Sequence, residues 1–285
     1  MNSADNGISA FFTRLINIDN SEPEDYLDKE NFLMCGKCNT RKQTEVNLDF
    51  LGLGVRKVGC LCQCGKEERD NVAIQSAEAE KENRIKTLKA QGIADDRYLT
   101  ARIENDDRKN VKVSNAVVRY TQKWKEMHDK NMGILFYGEV GRGKTFYAGC
   151  IANRLLEQGT QVIMTNMSSL ITAMSKDFEK DKAKILEKIS SVPLLVLDDL
   201  GVERDTPYIA EKLQEIIDTR YRSKKPLIVT TNLTPDELKN PVDIRYKRMY
   251  DRLLEMCYPI LVSGDSRRKE QAKNKRKEFH QMIFE

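Results

Sequence analysis

The sequence predicts an α/β fold: a phosphate-loop core built on a parallel five-stranded sheet flanked by helices, with a small Cys-rich module and a helical linker ahead of it. Three observations carry that prediction. Five short apolar runs, GILFYG at 133–138, QVIMTN at 161–166, PLLVLDD at 193–199, PLIVTTN at 226–232 and PILVSG at 259–264, alternate with stretches of helical composition. Each run is apolar throughout instead of alternating, the pattern of a strand covered on both faces, as in a parallel sheet. GEVGRGKT at 138–145 sets a glycine-rich loop between the first strand and a helix over 145–158. Five of the seven cysteines (Cys35, Cys38, Cys60, Cys62, Cys64) crowd together ahead of that core, while Cys150 and Cys257 stand alone in apolar surroundings.

A chain of 285 residues has room for one large domain and an appendage. Its 40% hydrophobic and 32% charged residues describe a heavily charged surface, and no apolar run approaches the roughly 18 residues that cross a bilayer. A membrane partner is therefore not expected. The N-terminal stretch lacks a basic region leading into an apolar one, so a cytoplasmic location is expected. Lys and Arg number 48 against 44 Asp and Glu, a formal charge of +4, too near balance for coating nucleic acid by bulk electrostatics.

In chain order, residues 1–34 are polar and acidic, and CGKC at 35–38 and CLCQC at 60–64 bracket a segment with strand-like pieces around 48–53. Residues 1–65 form the module. From Lys66 to Gln91 the chain lacks Pro and Gly and is rich in Glu, Lys, Ala and Gln, which reads as an exposed helix ending at Gly92. A linker over 66–97 contains it. The main domain, 98–285, opens with a turn-rich stretch, then an amphipathic helix over 113–129 with Val113, Ala116, Val117, Tyr120 and Trp124 on one face.

The phosphate loop supplies Gly138, Glu139, Val140, Gly141, Arg142, Gly143, Lys144, Thr145 and Phe146 as a nucleotide-binding set. Its glycines let successive N–H groups aim at phosphate oxygens where a helix N-terminus adds its positive end. Lys144 then brings a point charge to the same oxygens, and the Thr145 hydroxyl can ligate Mg²⁺. LLVLDD ends a buried strand in two carboxylates, which a core strand avoids without a cation. Asp198 is the candidate Mg²⁺ ligand and Asp199 the group that orients or deprotonates water. On the neighbouring strand Asn232 ends VTTN, where its amide can place water against the terminal phosphate or simply begin a turn.

In this order, the phosphate loop, the Asp pair and Thr-Thr-Asn resemble the AAA+ ATPases. LLVLDDLGVERDT, IIDTRYRSKKPLIVTTNL and RMYDRLLEMCYPILVSGDSRR resemble the replicative helicase loaders of the DnaC/DnaI type, phage-borne ones especially. The resemblance implies ATP/ADP as the nucleotide and Asn232 as first sensor. It also implies Arg252 as an arginine finger reaching a neighbouring subunit, with Arg248 as runner-up, and Arg268 as second sensor with Arg267 close behind. Hydrolysis would then depend on a homo-oligomer, and only one helix after the last strand implies no separate lid domain. Asp199 stands where many AAA+ members carry Glu, which implies modest turnover suited to a switch.

Five thiolates exceed the four that a tetrahedral metal takes, and Zn²⁺ is the expected occupant, with an iron–sulfur cluster as the alternative. LCQC resembles the family's Cys-x-Cys pair, which implies Cys35, Cys38, Cys62 and Cys64 as ligands and Cys60 as alternate. In the resembled family the N-terminal domain docks a hexameric DnaB-type helicase. For single-stranded DNA there are two candidate regions: RRKEQAKNKRK at 267–277, and 167–192 with Ser168, Ser169, Lys176, Lys180, Lys182, Lys184 and Phe178. The expected function is an ATP-dependent loader delivering the helicase to single-stranded DNA. Its rivals are an IstB-type transposition ATPase and a zinc adaptor using ATP as a structural switch; a small-molecule kinase would leave Asn232 and Arg252 without a role.

Overall fold

A computed structural model describes residues 21–93, 95–174, 179–201 and 206–284. The chain divides into two compact units, one up to Glu82 and one from Asn83 onward. In the first, β1 (Tyr26–Leu27) pairs antiparallel with β2 (Leu33–Met34), and β3 (Gln43–Asn47) with β4 (Val55–Gly59). The strand expected around 48–53 is instead the reversal between β3 and β4. Leu48 turns inward, Asp49–Leu51 form a 3-10 turn, and Gly52 and Gly54 take φ of 71° and 65°, a backbone that reverses the chain where an extended one would continue it. Helix α1 (Gln63–Gly92) begins three residues earlier than its composition suggests, because the Thr40 hydroxyl accepts the Gln63 N–H at 2.9 Å and so caps the first turn. As its composition suggests, it is exposed along most of its length; it buries Leu88 and Gly92.

In the second unit the chain leaves α1 through Ile93, which bridges in parallel to Met164, and a Cβ at Gly92 would collide with the Val162 carbonyl. Gly92 thus serves close approach to a strand. Short helix α2 (Asp96–Leu99) follows, then α3 (Val111–Gln122) and α4 (Trp124–Asp129). The single helix expected over 113–129 is broken at Lys123, whose φ of −96° and ψ of 20° leave the helical region, while Trp124 and Met127 pack on the core. Beyond α4 the core alternates strand and helix: β5 (Gly133–Tyr137), α5 (Lys144–Glu157), β6 (Val162–Asn166), α6 (Met167–Met174), α7 (Glu179–Ser191), β7 (Leu194–Leu200), α8 (Pro207–Ser223), β8 (Leu227–Thr231), α9 (Pro235–Lys239), α10 (Lys247–Met256), β9 (Cys257–Leu261) and α11 (Arg267–Phe284).

The five strands form one parallel sheet in the order β6-β7-β8-β5-β9. Neighbouring residues of each central strand enter opposite cores. Phe136, Val196 and Ile228 face the layer of α3 and α5, while Leu135, Leu195, Leu197, Leu227 and Val229 face that of α6, α8 and α10. This double coverage explains the unbroken apolar runs. The last strand begins at Cys257, earlier than the expected 259, and runs through Pro259; β9 is an edge strand, where a missing N–H is tolerated.

Arg220 is fully buried in the second layer and donates to the carbonyls of Ile189, Val192, Pro193 and Pro226, the bond to Ile189 being 2.9 Å. A buried guanidinium is costly unless its N–H groups are satisfied; here it ties the ends of α7 and α8 to the starts of β7 and β8. Among the described residues no helix is long and apolar enough to cross a membrane.

Candidate functional site

β5, β7 and β8 lie side by side and end together, so the loops after them converge on one edge of the sheet. After Tyr137 the chain turns through Gly138, Gly141 and Gly143, with φ of 138°, 81° and 100°. Only glycine adopts these angles without strain, and side chains there would also strike Val262, Ser266 and Arg267. The turn delivers Lys144 and Thr145 to the first turn of α5. Lys144 is buried, and its Nζ donates to the Gly138 and Glu139 carbonyls at 2.8 and 2.9 Å and to Asn232 Oδ1 at 2.7 Å. Burial pushes its ammonium below the ordinary lysine value. Glu139 pairs its side chain with Arg142 at the rim.

The Asp pair sits on an irregularity. Leu197 pairs with Val229 and Leu200 with Thr231, so β7 carries one residue more than β8 across this interval. The extra residue gives Asp199 a φ of 60° and aims two consecutive carboxylates differently: Asp198 stays buried and Asp199 opens outward. Asp198 accepts from three hydroxyls, Thr230 at 2.6 Å and Thr145 at 2.9 Å on Oδ1, and Tyr98 at 3.1 Å on Oδ2. The Asp199 N–H donates to Thr230 Oγ1 at 2.9 Å. Surrounding protein, then the charge of Asp198, raise the Asp199 carboxyl above the usual range.

A cavity of about 500 Å³ opens here, lined by Val140, Gly141, Gly143, Lys144, Thr145, Phe146, Asp199, Asn232, Arg267 and Arg268, with Asn105 and Asp107 closing another side. The two arginines differ. Arg267 donates to Asp107 at 2.6 Å and Tyr147 at 3.3 Å and lies against the Phe146 and Tyr147 rings. The positive charge of Arg268 bears on both Lys144 and Asp199. Arg252 and Arg248 are not brought to this cavity. They line a separate recess with Tyr221, Ile244, Asp251 and Glu255, where Arg252 pairs with Asp218 and lies 5.1 Å from the Tyr221 ring centre.

In the first unit, the sulfurs of Cys35, Cys38, Cys62 and Cys64 all lie within 4.8 Å of one another. Cys60 is outside the group and donates to the Arg41 carbonyl at 3.6 Å. The Cys38 thiol is lowered to about 5, chiefly by the Thr40 hydroxyl, while Cys64 is pushed up to about 12 by the sulfurs of Cys62, Cys35 and Cys38. Four thiolates this close repel unless a cation sits among them, so the donor set fits a tetrahedral metal.

For the single-stranded DNA candidates, Lys182 pairs with Glu215 at 2.9 Å, and Lys176 and Phe178 lie outside the described residues, as do Val202–Asp205 of the resembled LLVLDDLGVERDT segment. Residues 267–277 fall on α11, where Lys109 pairs with Glu270 at 2.6 Å. Sequence reading missed Tyr98 and Thr230. A Thr inside a buried apolar strand was a usable signal for Thr230; a single aromatic in a polar, turn-rich stretch was a weak one for Tyr98.

The profile of the family described as IstB-like ATP binding protein matches residues 79–276. The chain belongs to that family. Within it, the AAA+ core is homologous to the replicative helicase loaders: the chain is 28% identical over 194 residues to the replicative helicase loader DnaC of Escherichia coli K12, covering 65% of this chain and 77% of DnaC. Against the replicative helicase loader DnaI of Bacillus subtilis 168 it is 26% identical over 150 residues, 49% of this chain and 48% of DnaI. The fold is shared with the crystal structures of DnaI (TM-score 0.52, 23% identity, covering 62% of this chain and 95% of that one) and of the DnaC helicase loader (TM-score 0.51, 24% identity, 59% and 99%). ATP binding is the property by which the family is described.

Proposed function

We propose that this protein is an ATP-dependent loader that binds a DnaB-type replicative helicase and delivers it to single-stranded DNA, with assembly-dependent hydrolysis of ATP to ADP and phosphate. The observation that carries the reading is the joining, in one chain, of an ATP site homologous to that of the loaders with a four-cysteine cluster outside the matched core. Lys144 would exchange its Gly138 and Glu139 carbonyls for β- and γ-phosphate oxygens. Asn232, already bonded to Lys144, would sense the γ-phosphate. Mg²⁺, when bound, neutralises charge building between the phosphates; Thr145 and Asp198, 2.9 Å apart around a buried carboxylate, are the groups for it. Asp199, less acidic than an ordinary carboxyl, is suited to take a proton from the attacking water. Arg268, which lines the same cavity, would meet the same phosphates, and Arg252, absent from its own chain's cavity, would serve the cavity of a neighbour.

Zn²⁺ held by Cys35, Cys38, Cys62 and Cys64 would make the first unit a rigid knob for gripping the helicase. A second reading is favoured by the family profile itself: an IstB-like ATPase acting with a transposase. Native mass of the protein mixed with a DnaB-type helicase, with and without ATP, separates them. A complex that responds to ATP, whose ATPase rises with single-stranded DNA and collapses in Lys144→Ala and Arg252→Ala, supports the loader. No complex in any nucleotide state overturns it in favour of the transposition ATPase.

A further inference from the structure

Among the hydrogen bonds of the described residues, Tyr98 is the one group on the Asp198 carboxylate that comes from outside the strand-and-loop motifs of the core. It lies in α2, a few residues after the long exposed helix α1, in a stretch whose sequence suggested only turns. Nonetheless its ring is buried, with 3% of its surface accessible, and its hydroxyl reaches Asp198 Oδ2 at 3.1 Å. The backbone that carries it is tied to α5. Buried Asn153, on α5, donates to the Tyr98 carbonyl at 2.7 Å, the Ala101 carbonyl at 2.9 Å and the Gly149 carbonyl at 3.1 Å. A Cβ at Gly149 would press on Ala101, so α5 carries glycine where this segment crosses it.

The division of labour on the carboxylate is clean. Thr145 and Thr230 occupy Oδ1, on the side of the phosphate loop, and Tyr98 alone occupies Oδ2 among the hydrogen bonds described. A hydroxyl held on one oxygen fixes the rotation of the carboxylate and so aims the other. We propose that Tyr98 is a positioning residue for the Mg²⁺ site: its hydroxyl orients Asp198, making the segment that follows α1 a working part of the nucleotide site. This rests on the reading of Asp198 as the Mg²⁺ group. Tyr98 is not among the residues that line the cavity, and its effect would pass through Asp198 as that of an outer-shell partner passes through a ligand.

The test is binding of a non-hydrolysable ATP analogue to the full chain, titrated with Mg²⁺ and repeated in excess EDTA, for the wild type, Tyr98→Phe and Asp198→Asn. Phe keeps the buried ring and removes only the hydroxyl, and a thermal melt verifies that the variant folds. In Tyr98→Phe the Mg²⁺ midpoint is expected to rise about tenfold, the lower end of outer-shell effects, while binding in EDTA stays within about twofold of wild type, the hydroxyl lying off the phosphate path. An unchanged midpoint overturns the proposal. So does an equal loss with and without Mg²⁺, since that is the signature of a packing role. Should Asp198→Asn itself leave the midpoint unmoved, the assignment of Asp198 fails and Tyr98 falls with it; movement in Asp198→Asn but not in Tyr98→Phe overturns this inference alone.

Discussion

The two units of this chain solve the problem of presenting polar groups in opposite ways. Around the cavity over the phosphate loop, Lys144, Asp198 and Thr230 are buried beside strands whose side chains fill two apolar cores, so the site is a small polar island on a scaffold held by apolar packing. In the unit up to Glu82, the buried apolar residues among those described are Phe32, Leu48, Cys35 and Cys62, and two of these four are themselves metal candidates. What remains is a pair of small hairpins, the buried Lys42–Asp25 ion pair at 2.7 Å and side chains such as Arg41 and Lys57 over the Phe32 ring. A unit with so little apolar burial is one that a metal held among the four sulfurs would staple.

That contrast gives the largest expected effect. Stripping the metal with a strong chelator, or replacing Cys35 or Cys62 by Ser, should unfold the β3–β4 hairpin and leave the melting of the second unit unchanged. Metal binding of this kind is worth on the order of 10 kcal/mol, more than the hairpins hold on their own. Proteolysis mapped by mass spectrometry reads it; a hairpin that stays protected in chelator would mean that the apolar residues suffice and the contrast is wrong.

Next in size is Lys144→Ala, expected to abolish hydrolysis and weaken ATP binding about a hundredfold, through loss of charged hydrogen bonds worth roughly 2–3 kcal/mol. Metal content should not change, and a loss of metal in this variant would show that the units are not independent. Arg252 comes third. Arg252→Ala should keep ATP binding yet lower turnover of the assembled protein by about a thousandfold. Because Asp218 holds Arg252 within its own chain, Asp218→Asn should lower the protein concentration at which turnover sets in. If turnover in the wild type is independent of protein concentration, the finger does not act between subunits.

A smaller effect separates the other staple of the first unit. Lys42 holds the Asp25 carboxyl at about 2, below its ordinary value of 3.8. Since the folded form binds its proton less readily than the unfolded form, the stabilisation is complete above about pH 4 and is lost as pH falls toward 2. Asp25→Asn should therefore lower the melting temperature of the first unit at neutral pH, and the gap between variant and wild type should close on acidification.

Much of the second unit was legible because its signals are local and its strands are buried on both faces. Continuous apolar runs located all five strands, and a glycine-rich loop between strand and helix located the cavity. What could not be read depended on contacts distant in sequence. Nothing local says that Tyr98 meets Asp198 a hundred residues on, that one extra residue in β7 turns Asp199 away from Asp198, or that Arg220 is a buried clamp and not a surface charge. The break at Lys123 is likewise invisible to the helical period, since Trp124 and Met127 beyond it still pack on the core. In the first unit, the residues around Leu48 have strand-like composition, and only the left-handed glycines at 52 and 54 reveal a reversal.

The smallest expected effect falls on Cys60, and it tests the cysteine reading most sharply. Spacing alone leaves CLCQC with three equivalent thiols, yet the fold distinguishes them. Cys62 and Cys64 sit at the start of α1 with their sulfurs 3.3 Å apart, while Cys60 follows β4 and its thiol turns to the Arg41 carbonyl. Cys60→Ser should thus keep one metal per chain and wild-type melting, since a hydroxyl can make the same bond to Arg41. Cys64→Ser should lose the metal. Metal content by elemental analysis of the two purified variants decides it, and loss in Cys60→Ser would mean that the sulfurs rearrange around the ion.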